Sequence, residues 1–242
     1  MDKFENVDEI IKKNKNNIFY IMSIIIISLI LLYLIINVLF YNEEINEGNY
    51  RVVDASVVST TEFINISTEE KWAYSISNLD TLSILIEATD VTKITTVYIK
   101  DFNVDKPYTI KLSQKDHTTM IEPNTDEILQ LGTTTVQDNT IMYELQFKNR
   151  DILDEYVIPS EMDSITLDGT IYNLAGIGIY DLMYTASFDL IIEDIWGTKS
   201  IMRVQIAMPN SELITEGAYI AKLDTSKFVF KILSWRNFFR YM

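Results

Sequence analysis

The stretch from Ile18 to Tyr41, IFYIMSIIIISLILLYLIINVLFY, contains no charged residue and constrains the chain more than any other feature. As a helix it would extend roughly 36 Å at about 1.5 Å per residue, enough to span a hydrocarbon core of about 30 Å with some tilt. Signal peptides carry a shorter apolar region, about 7 to 15 residues, followed by small residues at a cleavage site. This run is longer and leaves through Val38, Leu39, Phe40 and Tyr41. A buried helix of a soluble protein shows a polar stripe, and Ser23, Ser28 and Asn37 are too scattered to make one. The expectation is a retained transmembrane anchor at 18–41. Lys12, Lys13 and Lys15 precede it, and no lysine or arginine lies between Tyr41 and Tyr50. The positive-inside bias therefore predicts a single-pass protein of the cell membrane, with a cytoplasmic tail at 1–17 and everything after the anchor extracytoplasmic.

Charge follows the same division. Lys3, Lys12, Lys13 and Lys15 cancel Asp2, Glu5, Asp8 and Glu9, so the net charge of −15 belongs to the part beyond the anchor. A strongly acidic exterior excludes nucleic acid as a partner, because phosphate binding needs clustered Lys and Arg. It favours solubility and mutual repulsion. The chain has no cysteine, so neither disulfides nor thiolate metal sites are available, yet the exterior is long enough to bury a core without them. An exported, cysteine-free chain rich in Ile, Asn and Lys points to a bacterial envelope.

Beyond a juxtamembrane linker at 42–49, period-two patterns dominate. Tyr108, Ile110 and Leu112 alternate with Thr109, Lys111 and Ser113, and Ile141, Tyr143, Leu145 and Phe147 alternate with Met142, Glu144, Gln146 and Lys148. Such alternation gives a strand one wet face and one buried face. In ASFDLIIEDIWGTKSIMRVQIAM, Phe188, Leu190 and Ile192 share one face, and Met202, Val204, Ile206 and Met208 another across the Asp194–Gly197 turn, which predicts an antiparallel hairpin. Asp168-Gly169 suits a second tight turn between the strands SITL and TIYNL. YRVVDASVV, LSILIEA, KITTVYIK, AYIAKL and KFVFKIL are further strand candidates.

Helical signals are fewer. Ser67 followed by Glu70 has the form of a capping box, and Trp72, Ile76 and Leu79 recur at helical spacing, predicting a short helix at 68–79. Another is expected at 125–131, after Pro123 and before Gly132. Closely spaced strands without a strand-helix-strand rhythm predict a mainly β fold, an antiparallel β-sandwich. The polar stretch 132–139 is the candidate linker between a first β-rich lobe at 50–131 and a second at 140–242.

The chemistry-bearing candidates are sparse. His117 is the only histidine and lies in the loop SQKDHTTM, so a Cys/His metal site is impossible and any Ser-His-Asp arrangement would have to use it. Asp101, Asn103 and Asp105 begin like a calcium loop, but its sixth position is Lys106 where Gly is needed and its twelfth is Leu112 where Glu is needed. A turn between strands is expected there instead. Leu174-Ala-Gly-Ile-Gly-Ile179 lacks the third glycine of a nucleotide fingerprint and reads as a bend or bulge in a strand. Asp151, Asp154 and Glu155 could serve as acid and base, although a solvated face is the simpler reading. No cofactor or metal is expected.

The C-terminal stretch SKFVFKILSWRNFFRYM sets Arg236 and Arg240 among Trp235, Phe238, Phe239 and Tyr241, preceded by Lys227 and Lys231. Basic and aromatic residues together can dock on an anionic lipid surface or on a partner, and Trp235, Arg236, Phe238, Phe239, Arg240 and Tyr241 are the candidate docking residues. The competing reading makes 227–233 the last strand, with the tail packed on its own domain. Type IV pilins share the layout of an apolar segment joined to an outer β-rich region, but their processing site has Gly before the segment and Glu soon inside it. Here Asn17 precedes Ile18 and the segment contains no acid, so no motif carries a family resemblance.

The sequence therefore predicts a membrane-anchored, non-enzymatic β domain. It is expected to act by protein-protein contact, with a protein partner or as a homo-oligomer, in an envelope secretion, conjugation or surface assembly. The alternative is an anchored cell-wall hydrolase using carboxylates.

Overall fold

Each sheet of this protein is built from strands that come from distant parts of the chain. The computed structural model describes residues 22–34, 49–106, 110–132, 134–137, 139–160, 164–208 and 215–232. Residues 22–34 are helical (α1) and belong to one unit, whereas the strands belong to another that covers 46–232. Every apolar side chain of α1 is exposed. Among the described residues, no helix is long and apolar enough to cross a membrane.

The strands are β1 (Tyr50–Asn65), β2 (Ala73–Ala88), β3 (Ile94–Val104), β4 (Lys111–Gln114), β5 (Met120–Ile121), β6 (Leu129–Leu131), β7 (Thr134–Gln137), β8 (Thr140–Val157), β9 (Tyr184–Asp194), β10 (Lys199–Met208), β11 (Ala218–Lys222) and β12 (Lys231–Ile232). One sheet runs β11-β1-β2-β8-β4-β5 with β7 also on β8; the other runs β12-β10-β9-β3-β6. Every strand pairing is antiparallel. Two short helices, α2 (Thr170–Leu174) and α3 (Ile179–Leu182), connect β8 to β9.

The alternation seen in the sequence sets the faces. Leu82, Ile84 and Ile86 of β2 and Ile141, Tyr143, Leu145 and Phe147 of β8 share one buried cluster with Val97 and Ile99 of β3, Phe188, Leu190 and Ile192 of β9, and Met202, Val204, Ile206 and Met208 of β10. The β9–β10 hairpin falls where the pattern puts it, with Val204 opposite Phe188 and Met202 opposite Leu190. Fully burying such a side chain stabilises by about 1.5–3 kcal/mol. Strands before and after 132–139 share both sheets: β2 pairs with β8 and β3 with β9. That stretch therefore lies within one β unit and does not separate two lobes.

Several expectations are corrected. Residues 73–88 are strand rather than helix, because pairing with both β1 and β8 overrides the helical spacing of Trp72, Ile76 and Leu79. Ser67 closes the β1–β2 turn instead of capping a helix: its Oγ accepts from the Ala73 N–H at 2.9 Å and donates to the Ala73 carbonyl at 3.2 Å. In 125–131, only Leu129–Leu131 is regular, and it is strand, with Leu129 and Leu131 buried opposite Ile99 and Val97. Asp168 starts a helix rather than a hairpin, its Oδ1 accepting the Thr170 N–H at 2.9 Å. The glycine-containing 174–179 stretch turns the chain from α2 to α3, with Gly176 at φ +75°. Ser113, expected on a wet face, is buried.

Two ends of the β unit can be distinguished. At the proximal end, where β1 begins, Tyr50 pairs with Ala88, Ile94 with Asp194, and Glu193 with Lys199. At the distal end, Asn65 pairs with Tyr74 and Ala73 with Val157, beside a smaller cluster of Ile76, Ile171, Tyr172 and Leu182.

Candidate functional site

Along the inward face of β2 the order is Ile76, Asn78, Asp80, Leu82, Ile84, so two polar residues interrupt an apolar stripe where the distal cluster meets the main core. Asp80 is 0% exposed. Three groups converge on it. The Tyr184 hydroxyl, from the first residue of β9 in the opposite sheet, donates to Oδ2 at 2.6 Å. Asn78 Nδ2 lies 3.2 Å from both carboxylate oxygens, and Ser59 is its cross-strand neighbour on β1. Burial pushes the Asp80 carboxyl up to about 6, although its polar neighbours Ser59, Tyr184 and Asn78 pull it down. Burial and the Asp80 charge together hold the Tyr184 phenol well above its usual range. One step outward, Thr61 donates to the Tyr172 hydroxyl at 3.0 Å, and burial raises that phenol to about 12.

A carboxyl with this proton affinity is chemically suited to acid-base work, but catalysis also needs access to a substrate. A groove of about 920 Å³ among the described residues lies at the proximal end and does not reach Asp80. Tyr50, Val52, Ala88, Asn139, Phe228 and Phe230 contribute to its wall. The Tyr50 and Phe230 rings are 5.6 Å apart, and burial raises the Tyr50 phenol, helped by the nearby Asp194 charge. Its carboxylate, Glu87, is bonded to Arg51 at 2.6 Å across the β1–β2 pair.

Among the described residues, those singled out in the sequence do not assemble into a site. Trp235, Arg236, Phe238, Phe239, Arg240 and Tyr241 lie outside the described residues. The His117 ring sits against Gly132, whose N–H and carbonyl are both held by the Gln114 side chain at 2.7 and 2.9 Å. Asp101 occupies a left-handed position, φ +53°, where the β3–β9 register shifts, and Asp105 accepts the Thr185 N–H, so a bulge replaces the calcium-loop pattern. Asp154 and Glu155 are exposed, and Glu155 is paired with Lys71. No group of three or more His, Asp or Glu able to hold a metal occurs among the described residues.

Asp80 and Asn78 were missed, although the signal was present: two polar residues at inward positions of an otherwise apolar period-two stripe.

The surface carries clearer marks than the interior. At the distal end Ile64, Ile66, Val157, Leu167, Leu174 and Tyr180 are all exposed, Tyr180 at 80%. At the proximal end the β9–β10 turn exposes Ile195 and Trp196. Along β10, no described strand pairs with Arg203–Met208 on the side away from β9. The fold and its surfaces define a two-sheet antiparallel β protein with a sealed acid at the seam between two clusters. No family model, curated protein or solved structure matches the chain.

Proposed function

We propose that this is a single-pass membrane protein, anchored by 18–41 with 1–17 in the cytoplasm, whose extracytoplasmic β-sandwich works by binding another protein of a bacterial envelope assembly. The observation that carries the binding role is the distal apolar surface. Ile64 and Val157 alternate with Phe63 and Tyr156, which pack on the distal cluster, so they point away from it into solvent. Leu167, Leu174 and Tyr180 add exposed apolar area from the connection that carries α2 and α3. Exposed apolar side chains gathered at one end of a domain mark interaction sites. Glu62, Glu69, Glu70 and Asp154 are exposed around it, so the partner offers an apolar patch rimmed by Lys or Arg. The net charge of −15 disfavours a second copy in that role.

The anchor reading is supported by α1, whose apolar side chains are exposed on every side as a lipid environment requires. The β10 edge that no described strand covers offers a second mode of contact, by strand addition. Hydrolysis by carboxylates would need an acid within reach of a cleft, whereas Asp80 is sealed and Glu87 is tied to Arg51.

The test is capture from native membranes. Leu174→Glu with Tyr180→Glu should abolish recovery of the partner while leaving unfolding unchanged, because both side chains are exposed. Undiminished recovery would refute the assignment of the distal surface.

A further inference from the structure

We propose that the β9–β10 turn, Ile195–Trp196, rests in the lipid headgroup interface and so fixes how the β unit stands on the bilayer. This deepens the anchor reading and rests on it. Trp196 is 77% exposed and Ile195 52%, at the tip of a hairpin that is otherwise built for rigidity. Asp194 Oδ1 accepts the N–H groups of Trp196 at 2.9 Å and Thr198 at 2.8 Å. Gly197 turns the chain at φ +75°, and the Ile195 N–H is held by the Lys93 carbonyl at 2.8 Å. The tryptophan is thus presented outward by a pinned backbone, with little ordering left to lose on insertion.

Position singles out lipid as the occupant. The tip lies at the proximal end, with Tyr50 close enough to Asp194 to feel its charge. Only residues 42–49 separate that end from the apolar run, a tether of at most about 28 Å. Val53 and Val229 are exposed at the same end. Tryptophan favours the membrane-water boundary because its body is apolar and its N–H tolerates water. The cations flanking the turn are paired with acids, Lys93 with Asp90 at 3.3 Å and Lys199 with Glu193 at 3.7 Å. The contact is therefore apolar and aromatic, indifferent to salt and independent of anionic lipid.

The experiment uses the full chain in phosphatidylcholine vesicles, with Trp72→Phe and Trp235→Phe leaving Trp196 as the one tryptophan, and brominated lipid as quencher. A dye on Ser28→Cys reports the anchor in parallel. The proposal expects both probes to be quenched, equally at low and high salt. As a control, a chain keeping only Trp72, whose carbonyl accepts the Ile158 N–H at the distal end, should stay bright. A quenched dye with a bright Trp196 overturns the interface contact and leaves the anchor standing. A quenched Trp196 with a bright dye keeps the contact and overturns the anchor, and two bright probes overturn both. Trp196 emission that shifts to the blue with protein concentration, unquenched by lipid, assigns the turn to a second copy and also overturns the proposal.

Discussion

Tyr184 donates a 2.6 Å hydrogen bond to Asp80, joining the first residue of β9 to the middle of β2 across the two sheets. The bond lies between the main core and the distal cluster, so the acid holds a boundary that apolar packing alone would leave to chance.

Because the Asp80 carboxyl is raised from 3.8 to about 6, the folded chain binds more protons than the unfolded chain between those values. Stability from this group therefore falls as pH rises through that window, by roughly 3 kcal/mol in all. Asp90, Glu122, Asp168 and Asp224 are lowered and act in the opposite sense at lower pH. Urea unfolding of the wild type and Asp80→Asn across about pH 4 to 7 isolates the effect. The difference should vanish below the window and favour the variant above it; a pH-independent difference would refute the buried-acid account.

Arg203 reaches Asp189 at 2.9 Å and Ser187 at 3.0 Å across the β9–β10 pair, and Asp189 is 3% exposed. Arg203→Met strips the guanidinium from a buried carboxylate and should destabilise by about 1–3 kcal/mol, moderated by the exposure of the arginine. Arg203→Met with Asp189→Asn should recover part of that loss in a double-mutant cycle.

Gly176, Gly197 and Gly217 all have left-handed φ, but only at Gly217 would a Cβ meet backbone, 3.0 Å from the Gly169 nitrogen. Gly197→Ala should cost about 1 kcal/mol from conformation alone. Gly217→Ala should cost about 2–3 kcal/mol, since the β11 approach must also open. Equal thermal shifts for the two variants would contradict this difference.

For topology, Thr68 is exposed in the β1–β2 turn, whereas Ser113 is buried and a poor reporter. In this cysteine-free chain, Thr68→Cys should react with an impermeant maleimide on whole cells and Asn14→Cys should not. The reverse pattern would invert the orientation.

The strands were legible where one face is buried and the other wet, as in Ile141–Phe147 and Phe188–Ile192, because burial imposes period two directly on composition. The helix expected at 68–79 failed because pairing of β2 with β1 and β8 overrides the local spacing of Trp72, Ile76 and Leu79. The short helices α2 and α3 carry too few residues for a period to declare itself. Asp80 was visible as an oddity of β2, but its partner lies 104 residues away, and no local pattern encodes such a meeting.

The interleaving of the sheets has a consequence for how the molecule comes into being. The β1–β2 ribbon can close early, but its inner edge waits for β8 and the opposing sheet waits for β9, which pairs back to β3. Nothing like the finished core exists until residue 194 has been made, and Thr61 meets Gly217 later still. Such distant pairings fold slowly and leave unpaired edges open to neighbours in the meantime. During biogenesis this chain therefore passes through a long vulnerable interval, when shielding of the nascent β2 edge matters more than the strength of any finished contact.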